Sequence, residues 1–318
     1  MIRLVLRSTL LLLASAVAAS VVVFLLLRIL KGDVATVILG PTATLESLAQ
    51  VRAEYGLDEP WHAQYVSWIS GLVQGDLGRS YIAQYDIFSE IRSRLGLTLS
   101  LTLASMLLAS IFALIAGTYS ALHVRDWRGG VVDVSAQLGI AVPQFWAGLL
   151  LITFVSVKLG WLPAGGYVPW SESPAGYVRS LTLPVLSLAI PIGAIFTRFV
   201  RSAMLDVMNE DYIRTAMAKG RTLRQAALIH GIRNASIPLV TVATVQLGTM
   251  LAGAVVIENV FTLPGLGRML LVAVGLREVI VVQSLVLVVL LTILVLNFML
   301  DIGYGLLDPR IRDAQKRA

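Results

Sequence analysis

From residue 97 to residue 122 the chain carries no charged side chain. At 1.5 Å of rise per residue, a helix of that length reaches across a hydrocarbon layer of ~30 Å, which needs only about 20 residues. Backbone N–H and C=O groups find no water inside that layer, and a helix satisfies them internally. Further apolar runs lie at 10–27, 131–159, 184–204, 238–257 and 279–298. With 57% hydrophobic and 14% charged residues, the chain has too little polar surface to cover a soluble globule of 318 residues. The fold class is an all-α polytopic membrane protein with six transmembrane helices.

The formal net charge of +6 is carried by basic residues that lie mainly between the apolar runs and at both termini. Such placement follows the positive-inside rule, so the partner is a lipid bilayer and not nucleic acid. Six crossings put both termini in the cytoplasm. The chain has no cysteine, which excludes disulfides, thiolate metal sites and cysteine nucleophiles within it. His62, His123 and His230 are far apart and form no metal-binding spacing, so each reads as a polar loop residue.

Three apolar runs carry a feature that could interrupt the span. In the first, Ala16-Val17-Ala18 resembles a signal-peptide cleavage site, but the run continues through residues 21–27, which favours an uncleaved span occupying residues 1–30. In the third, Pro143 lacks a donor and its ring opposes a straight helix, so a kink is expected there. The kink serves either the wall of a pathway or packing alone. Pro191 marks another kink in the fourth run, and Arg198 and Arg201 near its inner end are expected to snorkel to the interface and to help seat a partner. Asn234 or Ser236 is placed to cap the fifth run, with Pro238 in its first turn.

Residues 31–95 differ from the rest, with helix-length pieces separated by Gly and Pro. A short helix over 46–55 should stop at Gly56, and Trp61, Tyr65, Trp68, Ile69 and Leu72 share one face of a second. Gly75-Asp76-Leu77-Gly78 reads as a turn. The segment is expected to be an extracytoplasmic helical subdomain packed on the spans, its aromatic stripe serving as core in preference to a ligand site.

The longest polar interruption of the second half, residues 206–235, reads as a docking loop. A helix starting at Asp211 has an acidic first turn, which suits the positive end of the helix dipole, and Asn209 is available as its cap. Tyr212, Ala216, Lys219 and Leu223 share a face opposite Arg214, Arg221 and Gln225. Ala216, Ala218 and Gly220 are small enough to admit another surface, and Gly220 favours a bend or a helix end.

Asp211-Tyr212-Ile213-Arg214-Thr215-Ala216-Met217-Ala218-Lys219-Gly220, followed by Arg233-Asn234-Ala235 and Ile237-Pro238, resembles the cytoplasmic coupling (EAA) loop of ABC importer permeases. The form is that of the dipeptide/oligopeptide/nickel (DppB/OppB-like) family, with Thr215 standing where the general pattern has an acid. Further matches, in the family's order, are Tyr55-Gly56-Leu57-Asp58-Glu59-Pro60, Gly75-Asp76-Leu77-Gly78-Arg79-Ser80, Val142-Pro143-Gln144-Phe145-Trp146, Leu159 to Gly166, and Glu258 to Arg268. The resemblance implies a type I importer (MetI-like) transmembrane domain with an extracytoplasmic helical insertion after helix 1. Residues 96–306 would form the core and 307–318 a cytoplasmic tail. It also implies that Asp211, Tyr212, Thr215, Ala216, Ala218, Lys219 and Gly220 couple to an ATPase, in the cytoplasmic membrane of a prokaryote. The partners would be a homologous second permease (DppC/OppC-like), two ABC ATPase subunits that bind ATP and Mg, and an extracytoplasmic solute-binding protein. The implied cargo is a di- or oligopeptide, with nickel chelates, haem or another small solute as alternatives.

The chain supplies no energy source of its own. Lys31, Lys158, Lys219 and Lys316 follow Leu, Val, Ala and Gln, so none completes a P-loop, and no cofactor is expected in this chain. The second, fifth and sixth runs carry almost no ionisable group at mid-depth, against a secondary carrier driven by protons or sodium. An ATP-independent channel or carrier remains the competing class; a membrane enzyme would need a nucleophile–base pair or metal cluster that does not stand out.

Overall fold

The computed structural model describes residues 2–29, 34–39, 43–54 and 58–307. The described residues form α-helices with two π-helical segments and no strand beyond an isolated Arg79–Asp86 bridge. The tail after residue 307, and the Tyr55-Gly56-Leu57 part of one motif, lie outside the described residues.

Among the described residues, five helices are long and apolar enough to cross a membrane: α1 (Ile2–Ile29), α5 (Ile87–Leu122), α8 (Pro174–Met208), α11 (Ile232–Val260) and α13 (Val279–Leu307). Two further pieces, α6 (Trp127–Ala141) and the rod formed by α7 (Gln144–Leu151) with π-helical Ile152–Lys158, are together long and apolar enough for a sixth span, and they meet at 103°. Pro143 therefore does more than kink a helix. Val142 before it is driven to an extended conformation (φ −83°, ψ 117°), as a residue preceding proline is, which ends α6; Pro143 itself is the N-terminal cap of α7.

The centre of the bundle is α8. In its most apolar window 67% of residues are buried, against 17% for α1 and 22% for α13. It packs along α5, α6, α7 and α11, burying Leu188, Ile192, Phe196, Val200 and Met204. Between helices in lipid the attraction comes from close van der Waals packing, so small residues set the approach. A Cβ on Gly117 of α5 would lie 2.8 Å from the Thr197 carbonyl oxygen, and one on Gly139 of α6 would lie 2.8 Å from Ala194 Cβ.

The helix starts ten residues before the predicted apolar run, because Ser173 caps it by accepting from the Gly176 N–H and Pro174 fits its first turn. Pro184 and Pro191 are accommodated within it. The fifth span also begins differently. It emerges without a cap from the π-helical segment Ala227–Gly231, and Pro238 sits inside α11; Asn234 donates instead to the Tyr212 hydroxyl and the His230 carbonyl.

Between α1 and α5 lie α2 (Val34–Leu39), α3 (Leu45–Glu54) and α4 (Trp61–Gln74). α4 buries no residue fully and leans on α1: Tyr65 and Trp68 flank Phe24, and the Tyr65 hydroxyl lies 2.8 Å from Ser20 Oγ. The aromatic stripe is packing, except at Trp61, which is 68% exposed.

Candidate functional site

The polar loop after α8 folds into two short helices, α9 (Asp211–Ala218) and α10 (Leu223–Ala226). Asn209 ends α8 and does not cap α9; its side-chain amide donates to the Leu205 carbonyl, and Glu210 occupies the cap position. α9 stops where glycine permits it. Gly220 has φ +89°, a left-handed conformation that other residues resist, and its N–H closes on the Met217 carbonyl. α10 starts with a full capping box, in which Thr222 Oγ1 accepts from the Gln225 N–H and Gln225 Oε1 accepts from the Thr222 N–H.

The buried face of this pair is Ile213, Ala216 and Ala226, packed against Val207 at the end of α8. Helical periodicity had placed Ala216 with Tyr212, Lys219 and Leu223; the packing separates them. Asp211, Tyr212, Thr215, Ala218, Lys219 and Gly220 face outward, while Ala216 is an anchor within the chain. The outer surface thus offers one aromatic, one hydroxyl, a cation and small residues on a helix held from beneath.

Above this hairpin, three spans are joined by a polar knot. Arg201 Nε on α8 forms an ion pair with Asp133 Oδ1 on α6 at 2.9 Å and donates to Ser120 Oγ on α5 at 3.0 Å, and Ser120 Oγ donates to Asp133 Oδ1 at 2.6 Å. Arg201 does not snorkel outward, because an acid on the neighbouring helix holds it.

At the opposite ends of the spans, Gly75-Asp76-Leu77-Gly78 is a turn, as its composition predicts. Gly75 (φ 79°) and Gly78 (φ 78°) are left-handed, and Asp76 Oδ1 accepts from the Gly78 N–H. Leu77 is buried among Ile87, Leu266, Met269 and Val281, and Ser80 donates to the buried Glu278 at 2.9 Å. Pro143 lies at the elbow between α6 and α7; beside it Gln144 reaches α11, where a Cβ on Gly253 would overlap its amide oxygen.

Two family descriptions match the chain. "Binding-protein-dependent transport system inner membrane component" covers residues 109–313, and the corresponding N-terminal membrane component covers residues 1–102. The chain belongs to this family. The permease is 41% identical over 293 residues to the glutathione transport system permease protein GsiC of Escherichia coli strain K12, covering 92% of the permease and 93% of that relative. GsiC of Salmonella typhi is 39% identical over 312 residues, covering 98% and 99%. The DppB/OppB-like resemblance and the MetI-like fold hold for the permease. It is a multi-pass inner-membrane component of a binding-protein-dependent ABC importer, and hydrolysis belongs to a separate subunit.

One buried residue of the permease was legible in its sequence only as the start of a family match. Glu258, at the end of α11, has no exposed surface and receives three hydrogen bonds. Thr98 Oγ1 donates to its Oε1 at 2.6 Å, and the Gly267 and Arg268 N–H groups donate to its Oε2 at 2.7 and 3.1 Å. The latter two open α12 (Leu266–Gly275), whose positive dipole end the carboxylate meets. Gly265 and Gly267 have no room for a side chain against Glu258 and Val255. The spacing of an acid before Pro264-Gly265-Leu266-Gly267 was visible, but only the fold brings Thr98 to it.

Proposed function

We propose that this permease passes small peptides, glutathione among them, inward across the cytoplasmic membrane, driven through α9 by an ABC ATPase. The observation that carries the reading is α9 itself, a short helix anchored by Ile213 and Ala216 and presenting Tyr212, Thr215, Ala218 and Lys219 outward. A connector between spans has no need of an inner anchor and a bare outer face. In this reading two ATPase subunits hold ATP and Mg, and one takes α9 of this chain while the other takes the equivalent helix of a homologous second permease. Both termini and α9 lie in the cytoplasm. Residues 31–95, with Gly75-Asp76-Leu77-Gly78 at their end, lie outside, where a solute-binding protein delivers cargo, and the elbow at Pro143 belongs to the pathway wall.

The peptide cargo is supported by the similarity to GsiC, named for glutathione transport, across nearly the whole length of both chains. The test is ATP hydrolysis by the complex that co-purifies with tagged permease, reconstituted in lipid with its binding protein. Glutathione and other short peptides should stimulate hydrolysis, whereas nickel chelates and haem should not. Stimulation by a chelate or haem alone would replace the cargo; solute movement without any co-purifying ATPase would overturn the mechanism.

A further inference from the structure

Arg201 uses only its Nε in the knot with Asp133 and Ser120. Its terminal nitrogens make no hydrogen bond among the described residues, and Arg198, one turn earlier on α8, makes neither an ion pair nor a hydrogen bond there. Both arginines line a cleft of about 290 Å³ with Asp133, Gln137 and Ser202. Deeper along the spans α6 and α8 close on each other through Gly139 and Ala194, about half a turn from Gln137 and one turn from Arg198. Two guanidinium groups against one carboxylate leave the cleft with a net positive charge. Ionisable side chains in spans face a partner, a cavity or a pathway, because lipid tails solvate them poorly.

We propose that this cleft between α6 and α8 is an oxyanion site, in which Arg198 and the terminal nitrogens of Arg201 grip a carboxylate or phosphate while Asp133 and Ser120 hold Arg201 in place. A planar guanidinium pairs two donors with the two oxygens of such a group, and a second guanidinium beside it completes the match. Asp133 both aims Arg201 and limits the positive charge, which keeps the site from holding its ligand too tightly to release. The oxyanion belongs either to the transported solute, since peptides end in a carboxylate, or to an anionic lipid headgroup, since exposed Val134 and Leu138 flank the cleft on α6. The solute source rests on the peptide reading above; the site itself does not.

The test uses the purified whole complex, with two probes: glutathione, and phosphatidylglycerol compared with phosphatidylcholine. At least one anionic probe should bind wild type and bind R198Q roughly tenfold or more weakly, the scale of a lost charge-assisted hydrogen-bond pair. R198K, which keeps the charge but not the fork, should fall between. Arg198 has no internal partner among the described residues, so the variants remove no contact that holds the fold, and unchanged melting temperature checks this. Dependence on Arg198 seen with glutathione assigns the solute, and with phosphatidylglycerol the lipid. If neither probe binds, or R198Q binds both as wild type does, there is no such site. Peptide-stimulated hydrolysis is a separate readout: its absence, with Arg198-dependent lipid binding intact, removes the peptide reading and leaves the site standing.

Discussion

Glu258 is the residue on which the junction of α11, α12 and α5 closes. Its carboxylate answers two N–H groups at the start of α12 and the Thr98 hydroxyl, and Thr98 in turn accepts from the Leu266 N–H at 3.0 Å. Removing the acceptor leaves these donors buried without a partner, at a cost of about 1–3 kcal/mol for each group. Glu258→Ala should therefore cost the complex much of its stability, measured as a large drop in melting temperature in detergent. Glu258→Gln keeps an oxygen for the two N–H groups and turns an amide toward Thr98, whose hydroxyl can accept. It should lose far less. An equal loss in both variants would show that charge, and not hydrogen-bond satisfaction, holds the junction.

At the scale of elements, α9 separates a buried anchor from an exposed face. Ala216→Asp puts a carboxylate between α9 and Val207, where Ala216 and Ile213 are buried, and should dislodge the hairpin and lower the melting temperature. Lys219→Glu changes only the exposed side, so stability should stay within about 0.5 kcal/mol of wild type while stimulated ATP hydrolysis falls severalfold. Full hydrolysis in Lys219→Glu together with Thr215→Trp would remove the coupling role. The spans, the turn at Gly75 and the end of α9 at Gly220 were readable from the chain, because they follow from apolar run length and from glycine's tolerance of positive φ. The inward face of α9 was not, because eight residues give two turns and the choice of buried side is made by Val207, outside the helix. The abrupt elbow at Pro143 was underestimated for a similar reason: a proline states that a helix is interrupted, while the angle depends on what Gln144 and α7 then pack against. Asp133, Ser120 and Arg201 lie on three helices and no spacing connects them.

At the scale of the molecule, the absence of cysteine makes topology directly measurable. Single cysteines at Lys219 and at Ala318 should react with a membrane-impermeant maleimide in inverted vesicles and not in intact cells, and one at Trp61 should do the reverse. Labelling of the Lys219 and Trp61 variants from the same side would break the proposed orientation. The central helix carries a mechanical consequence of its two prolines. α8 has 35 residues, about 52 Å of rod, and Pro184 and Pro191 remove two backbone bonds near its middle. A uniform rod pushed at Val207 would tilt as a whole and swing its far end by about 9 Å for a 10° rotation. With its compliance placed halfway along, the same push can be absorbed as flexure, so that the half beside α9 moves while the half packed near α11 and Glu258 keeps its place. Under the coupling proposed above, the helix would work as a lever hinged between its ends.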